Sequence, residues 1–218
     1  SEYFGSNSNG DAFAEKALIH APSDWDELLD YPERAREVGK AWAYGYPTFM
    51  GASPFKHHIN SDSSRAFGKV ELATWNPKMH RVELVIYLDR ALCKKFDALD
   101  VLDRIENGEY SDISMGCKVP YDRCSICQHK SKTVNDYCIH AKTMMNKILP
   151  DGRKVMVYND IPRFFDISFV FIGADKTAKV MAKLAQKGNQ VCLGDFCTVP
   201  RLSAEVGAAF TKTADPVD

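Results

Sequence analysis

The chain has 218 residues, 45% hydrophobic and 26% charged, with a net charge of -1 at pH 7. That length buries a sizeable core and fits one main domain with additions, while the near-neutral balance argues against nucleic acid as the main partner. No apolar run approaches the ~20 residues of a membrane helix, the opening residues carry no secretory pattern, and an odd count of seven cysteines suits metal in a reducing compartment better than a disulfide framework.

Residues 1 to about 12 are polar and glycine-rich and read as a loose arm. Ser23-Asp-Trp-Asp26 offers caps and acidic first-turn residues for a helix whose apolar face is Trp25, Leu28 and Leu29. Pro32 interrupts it, and a second helical run from Glu33 to about Tyr44 carries Ala35, Val38, Ala41 and Trp42. Residues 1–45 thus form an N-terminal arm and helices, without nameable chemistry, that read as a docking element outside the main domain. Residues 46–188 read as that domain and 189–218 as a tail with a polar, poorly ordered end.

Phe67 to Thr74 and Arg81 to Leu88 read as strands, rich in β-branched and aromatic residues, joined by a turn at Asn76-Pro-Lys-Met79 and so antiparallel. A helix over 91–106 carries Leu92, Phe96, Leu99, Leu102 and Ile105 and stops at Asn107-Gly108. The next strand puts Ile113, Met115, Cys117 and Val119 on one face and Asp112, Ser114 and Gly116 on the other. Lys154 to Asn159 and Arg163 to Ile172 follow as strands. In the latter, Phe165, Ile167, Phe169 and Phe171 oppose Phe164, Asp166, Ser168 and Val170. Thr177 to Lys187 reads as a helix with Val180, Met181 and Leu184 inward, ended by Gly188, and Val191 to Leu193 as a further strand. Strands outnumber helices and are mostly joined by short turns, so the expected class is α+β, an antiparallel β domain with helices outside.

Three residue types that work together in acyl transfer stand on separate elements. His57-His58 lies on a loop before a strand, Ser114 alone on a small polar strand face, and Asp166 among aromatics where a carboxylate needs a partner. A serine hydroxyl becomes nucleophilic when an imidazole takes its proton, and an acid holds that imidazole in the right tautomer. Spacing leaves simpler readings open: solvated histidines, a surface serine, and Asp166 paired with Arg163.

Resemblance sharpens this picture. The histidine before a Phe67-Gly-Lys-Val70 strand, the Val82-Glu-Leu-Val-Ile86 strand, the helix ending in Ile105-Glu-Asn-Gly108, and above all Asp112-Ile-Ser-Met-Gly116 and Phe165-Asp-Ile-Ser-Phe169 resemble the prohead (head maturation) proteases of tailed bacteriophages, which share their fold with the herpesvirus assembly proteases. The likeness covers roughly residues 46–187. It implies a β-barrel-like domain, Ser114 as nucleophile, His58 as base with His57 as fallback, Asp166 as the orienting acid, and backbone amides of Met115 and Gly116 as oxyanion candidates. It also implies peptide hydrolysis through an acyl-enzyme, with phage scaffold and major capsid proteins and the protease itself as substrates. Such an enzyme would be a homo-oligomer, made in the host bacterial cytoplasm and enclosed in the prohead. The rival reading is an inactive virion or scaffold protein that keeps the fold.

One segment departs from that pattern. Cys124-Ser-Ile-Cys127, followed after ten residues by Cys138-Ile-His140, has the spacing of a tetrahedral zinc site, with His129 as the competing fourth ligand. Four protein ligands make such a site structural, a staple for an insertion at about 120–151 with little core of its own. Lys130, Lys132, Lys142 and Lys147 read as its solvated face. Cys93 and Cys117 read as packing thiols, and Cys192 and Cys197 as a pair that can meet across a turn.

Overall fold

The structure is a computed structural model that describes residues 5–109 and 111–181, together with the backbone of three short strands between 185 and 198. The chain runs β1 (Asp11–Ala12), α1 (Glu15–Leu18), α2 (Trp25–Leu28), α3 (Pro32–Ala41), a 3-10 turn (Tyr46–Gly51), β2 (Ser53–Lys56), β3 (Gly68–Asn76) and β4 (Arg81–Leu88). It continues α4 (Arg90–Lys95), α5 (Leu99–Glu106), β5 (Asp112–Lys118), β6 (Asp122–Cys124), β7 (Lys130–Ser131), α6 (Ile139–Met144), β8 (Val157–Tyr158) and β9 (Arg163–Val170). Last come β10 (Ala185–Lys187), β11 (Gln190–Leu193) and β12 (Phe196–Thr198).

The class is mixed α+β, with three small sheets ordered β2-β9-β5, β1-β8-β6-β7 and β10-β11-β12, beside a separate β3-β4 hairpin. None of them closes into a barrel among the described residues, which corrects the barrel-like expectation. The reason lies at β2. Pro54 has no N–H with which to continue a ladder, and Phe67 N–H to the Pro54 carbonyl at 3.2 Å is the bond that ties the hairpin's start to this edge. The strands are also not uniformly antiparallel, because β2 runs parallel to β9 and β1 parallel to β8.

The N-terminal helices do not stand apart as a docking element. Leu18, Trp25, Leu28 and Ala35 are buried in one cluster with Phe49, Met50, Val70, Phe164 and Ile167, so they cover the apolar side of the strands that carry the polar site. Pro32 opens α3 instead of breaking it, since its missing N–H is unneeded at a first helical position. The helix ends at Ala41 because Trp42 turns extended. A second cluster, Phe67, Cys93, Ala98, Val101 and Phe169, holds α4 and α5. The single helix expected over 91–106 is two, capped by the Asp89 carboxylate on the Leu92 amide and broken at Asp97, whose φ is 57°.

Three further expectations change. Asp11 and Ala12 in the supposed loose arm are paired with Val157 and Tyr158, and of the strand expected over 154–159 those two residues alone are strand. Among the described residues of 177–187 there is no helix: Ile113 N–H donates to Ala178 C=O at 2.9 Å and Val180 N–H to Ser111 C=O at 3.2 Å, while 185–187 is β10. The open edge of β5 offers donors and acceptors that outweigh the local helical pattern. Finally, a bulge sets Gly116 opposite Asp166 but Cys117 opposite Phe164. Phe165 is therefore extruded, and Phe164 joins Ile167 in the core instead of sharing a face with Asp166. The polar end of the tail lies outside the described residues.

Candidate active site and metal cluster

The polar face of the β2-β9-β5 sheet is built by register. Ser114 lies opposite Ser168 and Gly116 opposite Asp166, so two hydroxyls and a carboxylate share one face while Ile113, Met115 and Cys117 pack into the core behind. Gly116 is required there, because a Cβ would stand 2.9 Å from Asp166 Cβ and 3.0 Å from its Oδ2. The imidazole arrives from the turn after β2. His57 and His58 take φ values of 51° and 57°, and this left-handed pair, closed by Ile59 N–H to Lys56 C=O at 3.0 Å, swings His58 back over β9. Such strained backbone persists where its surroundings hold it, and here His58 N–H donates to Ser168 Oγ at 3.1 Å.

His58 Nδ1 is 2.6 Å from Asp166 Oδ2, and His58 Nε2 is 2.9 Å from Ser114 Oγ. A carboxylate can only accept from Nδ1–H, so in the neutral imidazole Nε2 carries the lone pair and is placed to receive the Ser114 hydroxyl. That is the tautomer a general base needs. Asp166 is 0% exposed. Burial of a carboxylate is tolerated when its oxygens are satisfied, and here Oδ2 also accepts from Asn60 Nδ2 at 2.8 Å while Oδ1 accepts from Ser168 Oγ at 2.7 Å. His57 does not compete for the serine, since its ring lies on Phe171 with centroids 4.4 Å apart. Arg163 bonds the Lys40 carbonyl and leaves Asp166 to the histidine.

The two oxyanion candidates are placed differently. Because Ile113 N–H points outward from β5 to Ala178, alternation turns the Met115 amide the same way and the Gly116 amide inward to β9. Met115 is thus the candidate donor aimed away from the ladder, and Gly116 contributes space for the carboxylate.

The cysteine segment forms a second cluster. Ligand atoms of Cys124, Cys127, Cys138 and His140 all lie within 4.8 Å of one another and can hold a metal ion. Cys124 ends β6, and the chain folds back at once through Cys124 N–H to His129 C=O at 2.9 Å and Gln128 N–H to Cys124 C=O at 3.0 Å. Cys138 precedes α6, which presents His140 in its first turn. Burial pushes the Cys138 thiol up, but the Ala141 amide and the neighbouring Cys127, Cys124 and His140 outweigh it and bring it down to about 6. The competing ligand, His129, lies outside the cluster with Nε2 3.1 Å from Asp136 C=O. Cys93 and Cys117 behave as packing thiols, pushed up by burial to about 11 and about 12. Backbone register sets Cys192 opposite Cys197.

No family model, curated protein or solved structure matches the chain. The site includes two residues not singled out from the sequence, Ser168 and Asn60. Ser168 had a signal, since the period of two places it on the face of Asp166. Asn60 had none, because an asparagine in a polar loop looks like any other. No helix among the described residues is long and apolar enough to cross a membrane.

Proposed function

We propose that this chain is a serine endopeptidase of the prohead-protease kind, cleaving scaffold and capsid polypeptides during head assembly through an acyl-enzyme. The observation that carries this reading is the continuous Asp166, His58, Ser114 relay at 2.6 and 2.9 Å, brought together from residues up to 108 positions apart. In the first half of the reaction Ser114 Oγ attacks the scissile carbonyl as its proton passes to His58 Nε2, and Asp166 stabilises the imidazolium. His58 then gives that proton to the departing amine. Water then attacks the acyl carbonyl as the same nitrogen takes its proton, and His58 returns that proton to Ser114 Oγ as the ester bond breaks and the acid leaves. The sequence resemblance supplies the substrate class.

The metal cluster fits a structural zinc ion. Three thiols and one imidazole are the donor set this ion prefers, and four protein ligands leave no open position for substrate. When bound, the ion supplies cross-linking of the chain and takes no part in peptide hydrolysis.

Incubating the full chain with a peptide library and mapping cleavage by mass spectrometry tests the reading. Cleavage that disappears in Ser114→Ala is expected. Its absence in the native chain would favour the inactive structural descendant instead.

A further inference from the structure

A cavity of about 290 Å³ opens at the end of β2, lined by Phe55, Phe67, Phe96, Phe171, His57 and Ile59. Drug-sized ligands need pockets of roughly 300–1,000 Å³, so this one suits a single large side chain. Its position is tied to the triad by the chain itself, because His57 and Ile59 flank His58 and Phe171 lies three residues beyond Ser168. The turn that sends the His58 ring to Ser114 sends the His57 ring to Phe171. Two of the lining residues are apolar and open to solvent, Phe171 at 72% and Ile59 at 49%, and exposed apolar surface grouped at a concavity marks a binding surface.

The charged groups at this cavity do not favour an ionic occupant. Lys56 Nζ already donates to Asp97 C=O at 2.8 Å and Asp100 Oδ1 at 2.7 Å, and the Arg65 guanidinium lies over the Phe96 ring, 5.8 Å from its centroid. We propose that this cavity is the specificity subsite of the enzyme, taking an aromatic or large aliphatic side chain of the substrate polypeptide close to the bond cut at Ser114. The proposal rests on the endopeptidase reading above. It adds which polypeptides are chosen.

Two measurements on the full chain with its metal decide it. In a peptide library, Ser114-dependent cuts should carry Phe, Tyr, Trp, Leu or Met within two positions of the bond, enriched roughly ten-fold over library frequency. That enrichment should fall several-fold, roughly to the library level, in Phe171→Ala. Cleavage without the preference, or a preference untouched by Phe171→Ala, overturns the subsite and leaves the endopeptidase reading intact. Absence of cleavage sinks the endopeptidase reading, and binding then decides the cavity by itself. N-acetyl-phenylalaninamide should shift the His57 ring signals in NMR spectra well beyond N-acetyl-alaninamide, and equal or absent shifts overturn it.

Discussion

The serine site and the cysteine cluster solve the same problem of holding reactive side chains, by opposite means. The serine site is assembled by long-range ladder register over a buried apolar core, with Ser114 opposite Ser168 and Gly116 opposite Asp166. The cysteine cluster is assembled locally, between residues 124 and 140, on two-residue and three-residue strands. Around it Val134, Ile139 and Ile148 are exposed, while the buried apolar side chains are few and small, such as Cys124, Ala141, Val155 and Val157. The sheet holds its site over a buried apolar core without a ligand, whereas the cysteine segment has little such core, and the structural zinc ion proposed above would hold it together.

Metal removal tests that contrast most severely. Structural zinc contributes ~10–16 kcal/mol of apparent binding free energy in small domains, so chelation, or Cys138→Ser, should unfold the segment around 120–151 first. Hydrogen exchange would show early loss of protection there with β5 and β9 still protected. Simultaneous loss in both regions would break the comparison. Ser114→Ala should do the reverse, lowering peptide cleavage by ~10⁴-fold or more while the unfolding free energy from denaturant melting changes by less than about 0.5 kcal/mol.

Ser168→Ala should fall between these two. It removes the donor to Asp166 Oδ1 and the acceptor of His58 N–H, which costs about 1–3 kcal/mol of stability and, by letting the imidazole drift, roughly 10²-fold in turnover. Denaturant melting and kcat measured on one preparation would check both, and Ser168→Thr, which keeps the hydroxyl, should restore part of each. The smallest effect concerns pH at the edge of β5. The Gly173 amide at 3.0 Å and the Lys179 ammonium at 2.7 Å hold the Asp112 carboxyl below the ordinary aspartate range. A folded-state value lower than the unfolded one adds stability that is present above the unfolded value and lost as pH falls through the folded one. Protection of residues 173–180 should therefore weaken below about pH 4, and Asp112→Asn should remove that dependence.

The two regions were also legible to different degrees in sequence. The cysteine cluster could be read directly, because its ligands are close in the chain and two-residue spacing reflects ligand geometry. His140 over His129 needed coordinates, since both lie within reach along the chain. For the serine site the strand period gave the polar face of β5, and the resemblance gave the partners. Register could not be read, and with it the bulge that extrudes Phe165 and the opposition of Ser168 to Ser114. The choice of His58 over His57 on geometric grounds depended on two consecutive positive φ angles. The helix expected over 177–187 failed for a related reason. Its local pattern was helical, but the unpaired edge of β5 recruited 178–180 into extended pairing.

Covalent labelling tests whether Ser114 is an activated nucleophile without knowledge of the substrate. A fluorophosphonate probe, with the adduct mapped by peptide mass spectrometry in the native chain and in His58→Ala and Asp166→Ala, is the most direct measurement. An adduct on Ser114 that forms quickly in the native chain and fades in both variants is expected. An unlabelled Ser114 in folded, metal-loaded protein, or labelling that is indifferent to His58 and Asp166, would contradict that activation.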